Sequence, residues 1–314
     1  MRSGFVCIVG RPNAGKSTLL NALVGQKIAI VTHKPQTTRT RVTGIVNIPK
    51  QKGREAAQVV LVDTPGVHKS ETSLDKKMMQ EIRDGISGSD LVLLIVDASR
   101  RPQPEDNFVL DLVRKAEKPV FLLLNKVDLV EKLKLLPIIE QFSKDTLFRE
   151  IIPISALKSQ GLDDLLQTVI SALPKGQPYF DKEQITDQPA RFLAAEIIRE
   201  QVLLATSEEV PYATTVLIER WEEGSKLTKI SATIFCEREG QKAILIGKGG
   251  QMLKKIGTAA RQEIESMIEG KVFLELFVKV REGWREQRAF IEELDWRRQL
   301  ENLARAQSLE GERE

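Results

Sequence analysis

Residues Gly10 to Ser17 read Gly-Arg-Pro-Asn-Ala-Gly-Lys-Ser, a complete Gly-x-x-x-x-Gly-Lys-Ser loop between the apolar run Phe5 to Val9 and the helix-like run Thr18 to Val24. No other feature constrains the fold as tightly. Backbone N–H groups converge on a polyphosphate only where such a loop leaves a strand end and enters a helix N-terminus, which is a βα unit of a parallel sheet. Gly10, Arg11, Pro12, Asn13, Ala14 and Gly15 then form the cradle, Lys16 reaches the β/γ-phosphates, and the hydroxyl of Ser17 ligates Mg²⁺. The ligand class is a nucleoside triphosphate, and the loop alone leaves its base open.

Three further segments select the base. Asp63-Thr64-Pro65-Gly66 follows the strand-like run Gln58 to Val62. Asp63 is therefore placed to hold the metal through its water shell, and Gly66 to supply an N–H for the γ-phosphate. Asn125-Lys126-Val127-Asp128 follows a second apolar strand, Pro119 to Leu124. The Asp128 carboxylate accepts two hydrogen bonds from guanine N1 and N2, where adenine has no matching donor pair, and a carboxylate left unpaired rejects the wrong base strongly. Ser155-Ala156, after Ile151 to Ile154, offers a backbone N–H to guanine O6. In this order the motifs resemble those of the translation-factor class of P-loop GTPases.

That class carries one more motif, a threonine on a mobile loop between the first helix and the second strand, and Gln36-Thr37-Thr38-Arg39-Thr40 lies there. Such a threonine binds Mg²⁺ only when the γ-phosphate is present, so hydrolysis releases the loop. Thr38 is the expected ligand and Thr37 the alternative. Residues 1–54 contain ten basic and no acidic side chains, a field that suits a polyphosphate and RNA. The residue after Gly66 is Val67, which cannot orient an attacking water as glutamine does. Intrinsic hydrolysis is therefore expected to be slow, with a partner or a cation supplying what is missing. Asn13 stands where GTPases that bind K⁺ beside the β/γ-phosphates place theirs; its alternative role is a hydrogen bond within its own loop.

At 314 residues the chain exceeds what one core usually serves. Helical spacing from Gly161 through Leu173 closes a first domain, residues 1–175, and Pro174, Gly176, Pro178 and Pro189 punctuate a polar stretch, 176–189, that reads as a linker. Cys7 and Cys236 read as buried or isolated thiols rather than a disulfide framework, and His33 and His68 have no cysteine cluster beside them that would make a structural zinc site. No signal peptide precedes Phe5, and apolar runs such as Leu91 to Val96 are strand-length. A cytoplasmic protein is expected.

The second part is organised differently. Residues 1–175 carry 26 basic and 19 acidic side chains, whereas residues 176–314 carry 21 and 25, so the appended part is net acidic. Within it, Gln241 to Gln262 contains Lys242, Lys248, Lys254, Lys255 and Arg261 with no acid, and it includes Ile246-Gly247-Lys248-Gly249-Gly250. This Gly-x-x-Gly loop joins a strand-like or turn segment to the helix-like run Gln251 to Ile268. A side-chain-poor loop admits RNA phosphates to the backbone while nearby lysines neutralise them. Around it, Ala190 to Thr206 suggests a helix, and Thr214 to Trp221, Lys229 to Cys236 and Lys271 to Val280 suggest strands. That order is the one of a type II KH domain, which clamps about four nucleotides of single-stranded RNA.

A GTPase domain followed by a KH domain, with Gln36-Thr37-Thr38-Arg39, Asp63 to Lys69 and Ile246 to Gly250 so placed, closely resembles the Era family of bacterial GTPases from Phe5 to about Trp284. The resemblance implies an α/β P-loop GTPase domain with a mostly parallel sheet flanked by helices, then a smaller α+β type II KH domain over 190–284. It further implies a monomeric checkpoint protein of small (30S) ribosomal subunit assembly. Its KH domain binds the 3′ end of 16S rRNA, with GTP and GDP as nucleotides, and family members associate peripherally with the inner membrane. Two departures stand against the pattern: the acidic balance of the KH half, and the charged, helix-like run Arg285 to Glu314, which reads as a solvated extension. Two competing functions share some motifs. A tRNA-modification GTPase would embed the GTPase in a helical domain and supply a catalytic cysteine, and this chain does neither; an RNA-binding adaptor would use GTP as a structural ligand, an alternative that Val67 keeps open.

Overall fold

The computed structural model describes residues 1–50, 55–67, 71–100 and 104–301. His68 and Lys69, at the end of the run from Asp63 that carries the resemblance, and the end of the charged extension from 302 onward, lie outside the described residues. The chain divides into two compact units, residues 1–69 with 77–187, and residues 188–314 with the short segment 70–76.

The first unit runs β1 (Arg2–Val9), α1 (Lys16–Val24), β2 (Val42–Ile48), β3 (Ala57–Asp63), α2 (Ser73–Ser87), β4 (Leu91–Asp97), α3 (Pro104–Arg114), β5 (Val120–Asn125), α4 (Lys132–Ser143), β6 (Phe148–Pro153) and α5 (Leu162–Ala172). The strands pair in the order β2-β3-β1-β4-β5-β6; β2 is antiparallel to β3 and the other five are parallel. Strands β1, β3, β4 and β5 are near-continuous runs of Val, Ile and Leu because helices cover both faces. Along β1 the side chains alternate between two layers. Val6 and Ile8 join Leu19, Leu20, Leu165 and Val169 in one core. Cys7 and Val9 join Ile82, Val92, Leu94 and Val109 in the other. Each such buried side chain contributes roughly 1.5–3 kcal/mol, so the sheet is a rigid base for the loops at its edge.

Residues 176–187, expected as part of a linker, are held on this unit rather than spanning free. Gln58, fully buried on β3, accepts hydrogen bonds from the N–H groups of Tyr179 and Phe180 at 2.7 and 3.1 Å and donates to the Phe180 carbonyl at 2.8 Å. Farther along, the Ile45 N–H donates to Ile185 O at 2.8 Å and Thr186 Oγ1 donates to Thr43 O at 2.7 Å. A buried glutamine satisfies all of its bonding capacity only with a partner backbone beside it, and the segment supplies that backbone.

The second unit runs α6 (Ala190–Ala205), β7 (Thr215–Glu223), β8 (Thr228–Cys236), α7 (Glu239–Ile246), α8 (Gln251–Met267), β9 (Val272–Val280) and α9 (Arg288–Glu293). Its sheet has the order β7-β8-β9, antiparallel then parallel. Helix α8 buries Ile256, Ala260 and Ile264, spaced four apart on one face, against Ile198, Val202, Ile230 and Ile234. The segment before the Gly-x-x-Gly loop, expected as strand or turn, is the helix α7: Gln241 closes its N-terminus by accepting from the N–H groups of Glu237 and Arg238.

The run after Trp284 corrects the expectation of a solvated extension as far as Trp296. Trp284, Phe290, Ile291 and Trp296 are buried. The Phe290 ring packs edge-on at 5.0 Å from Phe235 and 6.1 Å from Trp284, and the Arg281 guanidinium lies 3.7 Å over it. The Trp284 indole donates to Ala213 O at 2.8 Å. The charged residues interspersed through this stretch hid its aromatic spacing.

Candidate functional site

Every motif of the first unit arrives at the carboxyl ends of the parallel strands, where an α/β sheet opens a crevice. The phosphate loop follows β1, Asp63 ends β3, Asn125 ends β5, and Ser155 follows β6. A cavity of about 440 Å³ opens there, lined among others by Asn13, Lys16, Ser17, Thr38, Gly66, Lys126, Asp128 and Ser155.

The phosphate end is built around Gly15. Its φ of +105° lies in the left-handed region, and a Cβ there would stand 2.2 Å from the Asn125 amide nitrogen, so only glycine fits. Lys16 is buried and its ammonium donates to the carbonyls of Gly10 and Arg11 at 3.1 and 2.9 Å. Burial lowers its pKa to about 8, partly offset by the carboxylate of Asp63. Arg11 points away from the cavity and pairs with Asp106 of α3 at 2.7 Å. Gly66 lies against the loop, since a Cβ on it would meet Pro12 at 2.7 Å.

Beside this cradle three oxygens converge. Ser17 Oγ donates to Asp63 Oδ2 at 2.6 Å and lies 3.0 Å from Thr38 Oγ1, which itself reaches Asp63 Oδ2 at 3.3 Å. Asp63 Oδ1 is buried with no hydrogen-bond partner among the described residues. Burial raises the Asp63 pKa to about 6 against the opposing pull of Lys16 and the two hydroxyls. An orphaned carboxylate oxygen beside two hydroxyls is a hard-oxygen set that suits Mg²⁺. Thr37 stays outside this cluster: its hydroxyl bonds to Thr32 Oγ1 and Lys34 O, both at 2.7 Å. Arg39 is buried, Thr40 is half-buried and neither lines the cavity, whereas Gln36 does. Thr64 and Pro65 lie outside the lining as well; the Thr64 hydroxyl donates to Ile8 O at 2.8 Å and serves the strand end. Val67 is fully buried, with its N–H directed at Gly10 O.

At the base end, Asn125 joins two loops. Its Nδ2 donates to Ala14 O at 2.8 Å and its Oδ1 accepts the Ala156 N–H at 2.9 Å. Of the backbone N–H groups that Ser155-Ala156 was expected to offer to guanine O6, that of Ala156 is engaged by Asn125 and that of Ser155 by Gln160 O at 3.0 Å in this structure. Lys126 adopts a left-handed conformation, φ 67°, and its ammonium donates to Asp97 Oδ2 at 2.7 Å. Asp97 was not legible beside these motifs, because it reads as the polar end of the apolar run Leu91 to Val96; only the β4–β5 register places it against Asn125. Asn13, with φ 61°, donates from Nδ2 to His33 O at 2.7 Å, which ties the phosphate loop to the start of the first switch rather than to its own turn.

The Gly-x-x-Gly segment of the second unit lies between α7 and α8. Gly247, Gly249 and Gly250 all have positive φ, and Gly250 N–H bonds to Gly247 O at 3.1 Å. Lys248, Lys254 and Lys255 are exposed, and Ile246 is half-buried against the loop. No side chain caps the N-terminus of α8, and the Gln251 N–H bonds to Lys248 O, which sets the positive dipole end of the helix at the loop.

Comparison with known proteins agrees with this geometry. A family model described as 50S ribosome-binding GTPase matches residues 5–126, and one described as KH domain matches residues 209–285. The GTPase Era of Geobacter metallireducens is 49% identical over 94% of this chain and 98% of its own length. That of Ruminiclostridium cellulolyticum is 47% identical over 90% and 94%. A crystal structure of Aquifex aeolicus Era bound to GDP and AlF₄⁻ superposes with a TM-score of 0.89 at 39% identity, covering 94% of this chain and 99% of that one. A structure of Era with MgGDPNP and nucleotides 1506–1542 of 16S ribosomal RNA gives the same TM-score at 40% identity and the same coverage. With the phosphate loop, the guanine loops and the Gly-x-x-Gly segment each in its place, and near-full-length identity approaching one half, the chain belongs to the Era family of GTPases.

Proposed function

We propose that this chain is a GTP-hydrolysing switch that binds the 3′ end of 16S rRNA through its Gly-x-x-Gly segment and acts in assembly of the small ribosomal subunit, in the cytoplasm. The observation that carries the proposal is the pairing, in one chain, of the Ser17–Thr38–Asp63 cluster with an exposed Gly247-Lys248-Gly249-Gly250 loop flanked by Lys254 and Lys255. The relative crystallised with 16S rRNA nucleotides and MgGDPNP supports both ligands.

In this reading the loop from Gly10 to Ser17 cradles the phosphates through its backbone, and Lys16 exchanges its two carbonyl partners for phosphate oxygens. Mg²⁺, when bound, neutralises charge on the β- and γ-oxygens. Ser17 and Thr38 hold it through their hydroxyls, and Asp63 through water. Gly66 presents its N–H to the γ-phosphate, and Asp128 reads guanine N1 and N2, with Asn125 holding the loops of the base site together. The attacking group is water, and no side chain in the cavity is an evident general base. Lys16 stabilises the charge that develops on the phosphate. When the γ-phosphate leaves, Thr38 loses its reason to stay, and the loop from Gln36 to Thr40 relaxes.

Val67, buried in the core, contributes nothing to orienting water, which leaves room for K⁺ beside Asn13 as the missing positive charge. A hydrolysis rate that is equal in NaCl and KCl would remove K⁺ from the account. Peripheral association with the inner membrane completes the reading; no helix among the described residues is long and apolar enough to cross one, and flotation with vesicles of anionic lipid tests it. The RNA assignment is tested by Gly249→Asp, which sets a negative charge where phosphates approach. RNA affinity is expected to fall at least tenfold with GTP affinity unchanged, and unchanged RNA affinity would refute the assignment.

A further inference from the structure

The geometry points to Asp97 as a positioning residue of the guanine site, one that holds Lys126 so that its aliphatic stem forms a fixed wall for the base. This rests on the reading of Asn125-Lys126-Val127-Asp128 as the guanine-selecting segment, with Lys126 as part of it. Asp97 ends β4 directly beside Asn125, and the Ala98 N–H bonds back to Asn125 O at 2.9 Å, so its position is set by the sheet. Its carboxylate is 5% exposed and carries three short contacts: Lys126 Nζ at 2.7 Å, Ser99 Oγ at 2.5 Å and Ser99 N–H at 3.0 Å. Burial alone would raise its pKa, but the hydrogen bonds from Lys126 and Ser99 outweigh this and hold it below the usual carboxylate range. Arg100, at the cavity mouth, adds a longer contact to the same oxygen at 3.6 Å.

Why Lys126 needs such a partner follows from its backbone and its chemistry. A non-glycine residue at φ 67° is strained and persists only where its surroundings over-determine it. Its long side chain also carries substantial rotamer entropy, and a free ammonium near a polyphosphate site has a competing attraction toward the phosphates. Tying Nζ to Asp97 removes both difficulties before the nucleotide arrives. Lys126 lines the cavity together with Arg100 and Asp128, and preorganisation of this kind appears in affinity rather than in the chemical step.

The test is steady-state hydrolysis and fluorescent-GDP binding on the full chain for Asp97→Asn, Lys126→Ala and the double variant, with thermal unfolding to confirm folding. Asp97→Asn is expected to raise KM for GTP and Kd for GDP about tenfold while kcat is retained, and the double variant to match Lys126→Ala alone, because Asp97 acts through Lys126. An unchanged KM in Asp97→Asn, or a double variant that loses the sum of both effects, would overturn the inference and leave the guanine assignment standing. If Lys126→Ala itself leaves KM unchanged, the guanine assignment of Lys126 falls and this inference with it. Should Asp97→Asn fail to fold, Lys126→Met keeps the stem and removes the tether; the same tenfold rise in KM is expected, and no rise overturns the inference.

Discussion

Ser17 and Asp63 come from opposite ends of the switch machinery, 46 positions apart, yet Ser17 Oγ donates to Asp63 Oδ2 at 2.6 Å. That short bond, with Thr38 closing the triangle, gathers the phosphate loop, the Gln36 to Thr40 loop and the end of β3 on one carboxylate, whose second oxygen is buried with no hydrogen-bond partner among the described residues. Asp63 is therefore destabilised as an anion until a cation arrives, and its titration exposes this.

The carboxyl of Asp63 is raised from 3.8 to about 6 by burial. Its contribution to stability is thus present in full below pH 3.8 and lost as pH rises through about 6, because over that window the folded chain binds the proton that the unfolded chain has released. In the nucleotide- and metal-free state, Asp63→Asn should be more stable than the parent at pH 7 by up to about 3 kcal/mol, with the gap closing toward pH 4. Urea unfolding in chelator at pH 4.5 and 7 measures it. A gap independent of pH would mean that Asp63 is not held as an uncompensated charge. The same variant should lose Mg²⁺-dependent hydrolysis.

The two adjacent threonines separate cleanly. Thr38→Ala removes a hydroxyl from the Asp63 cluster and should lower kcat about 10- to 100-fold, whereas Thr37→Ala removes a hydroxyl that bonds to Thr32 and Lys34 and should stay within about threefold. Single-turnover hydrolysis of the two variants decides between them, and the reverse order would move the metal ligand to Thr37.

For the base, Asp128→Asn exchanges an acceptor pair for an amide. Guanine then faces a donor where it needs an acceptor, while xanthine, with a carbonyl at C2, finds a partner. Affinity for GTP should fall on the order of 10³-fold or more and that for XTP should rise. Competition binding of the two nucleotides checks the exchange.

Packing after β9 makes a stability prediction. Phe290 fills the space between Phe235 and Trp284, so Phe290→Ala should destabilise the second unit by about 3–5 kcal/mol. A solvated extension would show a change within about 0.5 kcal/mol.

What could be read from the sequence follows the physics of each feature. The phosphate loop, Asp63 and Asn125-Lys126-Val127-Asp128 were legible because their chemistry needs fixed residues at fixed offsets from strand ends, and the apolar runs marked those strands. Helix α7 was missed because eight residues give barely two turns of periodicity. The packed state of Phe290 and Trp296 was hidden among interspersed charged residues. Gln58 and Asp97 were unreadable for a further reason: each is a polar residue at a strand position, and what it binds, Tyr179 and Phe180 in one case and Lys126 in the other, comes from a distant part of the chain. Of the two threonines, Thr38 was the expected ligand and Thr37 the alternative, since adjacent residues share every local signal, and the three-oxygen cluster favours Thr38.

The central claim is that one chain joins guanine-nucleotide turnover to recognition of the 3′ end of 16S rRNA. It is tested most directly by GTP hydrolysis of the full chain with and without an RNA carrying that 3′ end, against a scrambled RNA of equal length. Coupling between two sites on one molecule amounts to about 5- to 150-fold in affinity; stimulation of turnover by about fivefold or more with the authentic RNA, and none with the scrambled one, is the expected result. Equal rates with both RNAs, while the authentic one still binds, would contradict the account and leave the KH unit a tether.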